Sequence, residues 1–444
     1  MGPSFLLAQF LCLLFFHSHS QPAHSSSNFS SSVQLCPGDQ SLALLQFKNS
    51  FSMSSSPYGF SCYPPKKVLW KEGTDCCSWD GVTCNMQTGH VIGLDLGCSM
   101  LYGTLHSNST LFSLHHLQKL DLSHNDFNRS VISSSFGQFL HLTHLNLNSS
   151  NFAGQVPPEI SHLSRLVSLD LSSNSEELML EPISFNKLAH NLTQLRELYL
   201  GVVNMSMVVP SSLMNLSSSL SSLRLWYCGL QGELPDNFFR RSNLQSLDLS
   251  SNRELTGSFP PYNLSNAISH LDLSLTRISI HLEPHSISQL KSVEVMYLIG
   301  CNFVGSNLGL LGNLTQLIEL RLAEILDLSN NGFSGFIPQC LGNFSDGLSV
   351  LHLGANNLHG NIPSIYSEGN NLSYLNFNGN QLKGVIPPSI INCVNLEFLD
   401  LGNNMIDDTF PSFLETLPQL EVVVLRSNKL HGSLKGPTDQ GLFF

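Results

Sequence analysis

Residues 351–360 read LHLGANNLHG, and the phrase returns as LNFNGNQLKG at 375–384, LDLGNNMI at 399–406 and VVLRSNKLHG at 423–432. The anchors Leu353, Phe377, Leu401 and Leu425 stand 24 residues apart at every step. A period this length predicts a solenoid: each unit gives one short strand with inward leucines and a return, and units bury their cores only against one another. Such a chain presents a long surface and has no built-in catalytic pocket, which points to binding.

Working back from 353, L-x-L pairs end at Leu96, Leu122, Leu147, Leu171, Leu200, Leu225, Leu249, Leu273, Leu298 and Leu322, with a second start at Leu328. These are leucine-rich repeats, about 14 of them over residues 91–444. Leu171 to Leu200 is a step of 29, which predicts an inserted loop near Glu176 to Glu181. Leu322 to Leu328 is a step of 6, too short to close a coil. Either repeats are missing between Ala323 and Ile325, or one repeat has a bulged strand.

The ends are different in kind. Residues 1–20 read as a secretory signal peptide: an apolar run from Phe5 to Phe16 is followed by small residues at Ser18 and Ser20, so cleavage is expected before Gln21. The run is too short for the ~30 Å bilayer core, and no later segment is long and apolar enough. Residues 21–35 are Ser-rich, an expected disordered lead. Residues 36–90 read as a cysteine-rich cap, with a helix over 39–48 and Asp39 as its N-cap. Six cysteines fall between Cys36 and Cys98, the pattern of a disulfide framework in a secreted chain. Eleven N-x-S/T sequons agree: Asn28, Asn108, Asn128, Asn148, Asn191, Asn204, Asn215, Asn263, Asn313, Asn343 and Asn371.

The formal charge is -12 with only 12% charged residues, which argues against nucleic acid and anionic membrane surfaces. No phosphate loop and no supported Ser-His-Asp or Cys-His set occurs, so no enzyme activity and no cofactor are expected. His115-His116 and His141/His144 lack a cysteine or carboxylate cluster, so no metal is expected.

The second half of the units reads FAGQVP at 152–157, LQGELP at 230–235, FSGFIP at 333–338, LHGNIP at 358–363 and LKGVIP at 382–387. With LLQFK at 44–48, Trp70 and CCSWDGVTC at 76–84, this resembles the plant extracellular leucine-rich repeats and their N-terminal cap over residues 36–434. CPGDQ at 36–40, Cys62 and Cys98, and DLGNNMIDDTFP at 400–411 resemble plant receptor-like proteins of the disease-resistance type. The resemblance implies an α/β solenoid, a right-handed superhelix with a second short strand after each Gly and a disulfide-bonded cap. It implies pairing of Cys36 with Cys76 and of Cys77 with Cys84. Cys62 and Cys98 would then remain, although six cysteines allow 15 connectivities. It also implies recognition of a pathogen- or plant-derived peptide, protein or glycan outside the cell, with receptor kinases as signalling partners. Family members carry a loop-out island, a C-terminal cap, one membrane helix and a short tail. None of these occurs here, so a truncated chain is expected: plasma membrane with extracellular repeats at full length, otherwise secreted to the apoplast. A soluble inhibitor of pathogen wall-degrading enzymes and a non-functional gene fragment are the alternative readings.

The residue between the strand leucines faces the concave side and is usually Asp, as at Asp95, Asp121, Asp170, Asp248, Asp272, Asp327 and Asp400. That regularity reads as structure, with an acidic binding stripe as the lesser reading. The exceptions Tyr199, Arg224, Trp226, Tyr227 and Tyr297 are read as concave ligand-binding candidates, since Tyr, Trp and Arg dominate binding hot spots. Asn148 also falls on a concave position, where a glycan would move any ligand to coil five and beyond. The Asn or Cys after each strand (Asn125, Asn174, Cys228, Asn252, Cys301, Asn331, Asn356) reads as a buried ladder bonding the turn backbone. Cys340 and Cys393 have no assignment.

Overall fold

The computed structural model describes residues 35–53, 70–259, 268–281, 290, 292–299, 301–304, 319–321, 325–330, 332–342 and 348–432. Each three-residue strand is set by its L-x-L pair: Leu145 and Leu147, for example, point inward and are buried, while the residues between them face the concave side. The strands stack into an eleven-stranded sheet running from Val82–Cys84 to Glu319–Arg321. All its pairs are parallel except the first, Val82–Cys84 against Val91–Asp95. A second, five-stranded parallel sheet runs from Ile325–Asp327 to Val422–Val424. Among the described residues no pairing joins Glu319–Arg321 to Ile325–Asp327, so the ladder breaks at the step of six.

The second short strands form their own sheets. Gln231–Glu233, Glu254–Phe259, Arg277–His281 and Asn302–Val304 make one, and Ser334–Phe336, Asn357–Asn361, Gln381–Gly384 and Met405–Ile406 make another. Short 3-10 turns such as Pro158–His162 close most coils. The coil after Leu171 is the exception, and it corrects the expected loop. Residues Leu178–Met179 are a strand, and the extra length is taken up by a ten-residue α-helix, Pro182–Asn191, in place of a five-residue 3-10 turn.

Asparagine does predictable work between coils. Asn174 Nδ2 donates to the carbonyls of Leu147 and Leu171 at 2.8 and 2.9 Å, and its Oδ1 accepts from Ser150 and Phe152 N–H. Asn125, Asn252, Asn356, Asn380, Asn404 and Asn428 repeat this role. Cys228 and Cys301 stand in the same ladder, each Sγ 3.1 Å from a carbonyl of the coil before, Leu200 or Leu273. Asn331 lies outside the described residues.

The cap is a helix, Gly38–Asn49, packed by Ala43, Leu44 and Phe47. Its N-cap residue is Pro37, not Asp39, which lies in the first turn. Cys36 is bonded to Cys76 and Cys77 to Cys84, the pairs the resemblance implies. Cys98 is disulfide-bonded, while Cys62 lies outside the described residues. The Asp75 carboxylate accepts from the N–H of Leu35, Cys36 and Cys77, and these bonds, Leu35 foremost, hold its carboxyl below the usual range although burial pushes it up. Trp70 and Trp79 stack at 5.3 Å, and Gln40 accepts from Val91 N–H, which ties the helix to the first strand.

Candidate ligand-binding surface

Sheet register turns strand positions into lateral rows across the concave face. One row reads Asp95, Asp121, Asn146, Asp170, Tyr199, Arg224, Asp248, Asp272, Tyr297, Arg321. Its carboxylates hold the backbone. Asp121 Oδ1 accepts from Ser123 N–H at 2.8 Å, Asp248 from Ser250 at 3.0 Å and Asp272 from Ser274 at 2.9 Å. Asn146 Nδ2 also donates to Asp121 Oδ2 along the row. Burial pushes the Asp170 carboxyl up despite bonds from Ser172 and Asn148 and the charge of Arg224.

The row changes character at Tyr199. The Arg224 guanidinium lies 5.1 Å from the Tyr199 ring centre, a cation–π contact. In the neighbouring row Trp226 covers Gly201; a Cβ at Gly201 would sit 2.0 Å from the indole Nε1. Glycine at 201 is therefore what lets the indole lie against the sheet. Tyr199, Arg224 and Trp226 form one patch. Tyr297 lies in the Tyr199 row, three strands beyond Arg224.

Tyr227 does not join them, which corrects its reading as concave. It takes the left-handed turn position that follows each strand (φ 53°), as His124, Ser173 and Ser251 do in their coils. It is 54% exposed on the flank, around a 440 Å³ cavity shared with Val202, Asn204, Ser206, Arg253 and Glu254.

A larger concave cavity of 580 Å³ spans the first five coils, lined by Asp95, Gln118, Lys119, Asp121, Asn146 and Tyr199 among others. Beside it Asn148 is half-buried, with Nδ2 2.6 Å from Ser172 Oγ. Asn108, Asn128, Asn191, Asn204, Asn215 and Asn371 are exposed, whereas Asn28, Asn263, Asn313 and Asn343 lie outside the described residues.

The second sheet holds a surface the sequence reading missed. Tyr374 and Phe398 stack at 4.4 Å with their planes 3° apart, and Val350 and Val422 extend their row. His352 packs edge-on to Tyr374 at 5.9 Å. Val350, Tyr374, Phe398 and Val422 precede the first inward residue of their strands, a position the sequence reading passed over. The missing signal was the repeat of bulky apolar residues one position upstream, at Val350, Tyr374, Phe398 and Val422.

Two clusters invite metal chemistry. The sulfurs of Cys36, Cys76 and Cys77 lie within 4.8 Å of one another, but they belong to the two disulfides and offer no thiolate. The His116 ring stacks between His90 at 4.0 Å and His141 at 6.4 Å. Nucleophilic chemistry has no foothold in the free thiols: burial pushes Cys228 up strongly, Cys301 to about 12 and Cys393 to about 11. Cys393 is a core residue at the end of the 3-10 turn Pro388–Asn392, and the side chain of Cys340 lies outside the described residues. No helix among the described residues is long and apolar enough to cross a membrane.

Comparison with known proteins agrees with this architecture. Residues 37–85 match the leucine rich repeat N-terminal domain, residues 370–414 match leucine rich repeats (2 copies), and residues 116–139, 141–163 and 323–344 match single leucine rich repeats. Receptor-like protein 9DC1 of Solanum pimpinellifolium is 44% identical over 276 residues, covering 60% of this chain and 31% of that protein. Receptor-like protein Cf-9 of the same plant is 43% identical over 275 residues, covering 60% of this chain and 31% of its own length. The match thus spans about a third of these curated relatives. The structure of a TDR receptor superposes with a TM-score of 0.50 at 22% identity, covering 75% of this chain and 67% of that one, which supports the fold. The chain carries leucine rich repeats and a leucine rich repeat N-terminal domain, and over 60% of its length it is similar to plant receptor-like proteins of the Cf-9 kind.

Proposed function

We propose that this chain is the extracellular recognition part of a plant cell-surface receptor-like protein. Its concave face binds a pathogen- or plant-derived ligand, and a partner receptor kinase relays the signal. The reading is supported by the receptor-like proteins it resembles and by one observation above all: Tyr199 and Arg224 interrupt a row of acids committed to backbone bonds, with Trp226 in the neighbouring row. Those acids are structural. The patch is not needed to close any coil, and it offers a flat indole, a phenol and a guanidinium, the chemistry of a hot spot. An extended peptide laid along the arc, with an acidic or aromatic residue over Arg224 and Trp226, is the ligand this chemistry favours.

The test is selection of a random extended-peptide library against the immobilised secreted chain. Peptides enriched on the native chain should be lost with Arg224→Ala/Trp226→Ala and kept with Tyr227→Ala. Equal recovery on the native and double-variant chains would remove the patch from the function.

A further inference from the structure

We propose that the concave cavity of the first five coils is occupied by the inner sugars of the chain's own N-glycan, carried on Asn148. Asn148-Ser149-Ser150 is a sequon, and it is unlike the exposed sequons in placement. Asn148 falls in the same lateral row as Ser123, Ser172, Gly201 and Trp226, beside the strand His144–Asn146. Asn146, two residues earlier, lines the 580 Å³ cavity, and so does Asp170, to which the Asn148 side chain bonds from the turn after the strand.

The cavity suits a saccharide. Its volume lies within the ~300–1,000 Å³ of pockets that take small ligands. Asp95, Asp121, Asn146, Gln118 and Lys119 offer acceptors and donors to sugar hydroxyls, and Tyr199 closes the far end. The neighbours of Asn148 are small: Ser123 and Ser172 flank it, and the first bulky residue of its row on the C-terminal side is Trp226.

The attachment chemistry leaves the local bonding workable. Asn148 Nδ2 attacks C1 of an oligosaccharide carried on a lipid diphosphate, the donor class of the secretory pathway. The C1–O bond to the diphosphate breaks and its electron pair leaves with the diphosphate, while one Nδ2 proton passes to a base on the transferase. One N–H remains to donate to Ser172 Oγ, the 2.6 Å bond already present, while the bond from Asn148 to Asp170 is given up and Asp170 keeps its bonds from Ser172. Because Asn148 is half-buried once folded, the transfer precedes closure of its coil. The glycan then shields the arc up to Tyr199 at the cavity's far end and leaves Arg224 and Trp226, on the next coil, as the first fully open positions.

The test uses the full chain secreted from plant cells. Glycopeptide mass spectrometry reads occupancy at Asn148, and acylation of Lys119, exposed at the cavity, reads whether the cavity is filled. The expected result is a glycan on Asn148 and several-fold slower acylation of Lys119 than in Asn148→Gln. Trimming the native protein with an endoglycosidase repeats the comparison without a substitution, should that variant fail to fold. An unmodified Asn148 in a chain whose exposed sequons are occupied overturns the proposal. So does an occupied Asn148 with Lys119 acylated at the same rate before and after trimming.

Discussion

The two parallel stacks are built on one repeat but are held differently. In the stack ending at Val422–Val424, the ladder position is Asn356, Asn380, Asn404 and Asn428 without interruption, each bonding the coil before and its own coil. In the eleven-stranded stack the same position runs Asn125, Ser150, Asn174, Val203, Cys228, Asn252, Thr276 and Cys301. Ser150 and Cys228 reach the preceding coil with one weaker group, Thr276 bonds its own coil, and Val203 has no polar side chain to offer. Val203, the rung with no polar group, belongs to the coil that carries Tyr199, and Cys228, a single weak thiol, to the coil that carries Arg224 and Trp226. Ladder regularity and surface individuality trade places along the molecule. The first stack compensates with a covalent cap, while none of the disulfides among the described residues lies in the second.

The largest expected effect follows from that cap. Cys36–Cys76 closes a separation of 40 residues and Cys77–Cys84 one of 7. Loop entropy then predicts about 4 kcal/mol for the first and about 2.5 kcal/mol for the second. Cys36→Ser/Cys76→Ser should therefore raise hydrogen exchange in the strands Val91–Asp95 and Lys119–Asp121, and leave the second stack unchanged. Next come the rungs. Asn380→Ala strands the carbonyls of Leu353 and Phe377 and the N–H of Leu358. It should cost about 3 kcal/mol by the penalty for buried unpaired groups. Cys228→Ala, losing one weak thiol bond and a small volume, should cost about 1 kcal/mol. Urea unfolding followed by local exchange compares the two; equal costs would break the contrast between regular and irregular ladders.

These rungs were legible in the sequence because one buried polar residue among leucines has few roles. The solenoid, its break after Arg321, the ladder role of Cys228 and Cys301, and the structural character of the row aspartates all follow from periodicity and inward-outward alternation, while the backbone N–H groups those aspartates accept from were not foreseen. What escaped depended on three dimensions. The five extra residues after Leu171 look like a loop because helix and loop differ little over so short a span. Tyr227 looks concave until the left-handed turn after the strand swings it to the flank. Trp226 gains its place from Gly201, 25 residues earlier, a pairing visible only once register is known.

That pairing gives the next prediction, a smaller effect on the surface alone. Gly201→Ala drives a methyl into the Trp226 indole without asking for a forbidden backbone angle. It should displace the indole and weaken binding at the patch by about tenfold, the scale of one hot-spot residue, with stability nearly unchanged. The matching change in the second stack is Tyr374→Ala, which removes one ring of the Tyr374–Phe398 pair. If it weakens ligand binding more than Gly201→Ala, recognition belongs to the regular stack and the assignment to Tyr199, Arg224 and Trp226 fails.

Acidification should separate the stacks most gently. Among the described groups around His116, burial pushes its imidazole below the ordinary value, with His90, His141 and His115 adding repulsion. A histidine whose folded value is depressed stays neutral when folded, and the unfolded chain takes up the proton first. Its stabilising share is full above pH ~6.5 and is lost as pH falls from there through the folded value. Asp327 in the second stack is also depressed: burial raises it, but the bonds from Ser329 and the neighbouring His352, 3.3 Å away, outweigh this. Its share is present above the unfolded value of 3.8 and is lost only as pH falls through the lower folded one. Between pH 7 and 5 the first stack should thus loosen around His90, His116 and His141, and the bond at Asp327 should persist. Hydrogen exchange corrected for intrinsic rates reads both regions in one sample. His116→Gln should flatten the response of the first stack, and an unchanged slope in that variant would show that the stacked imidazoles are not its source.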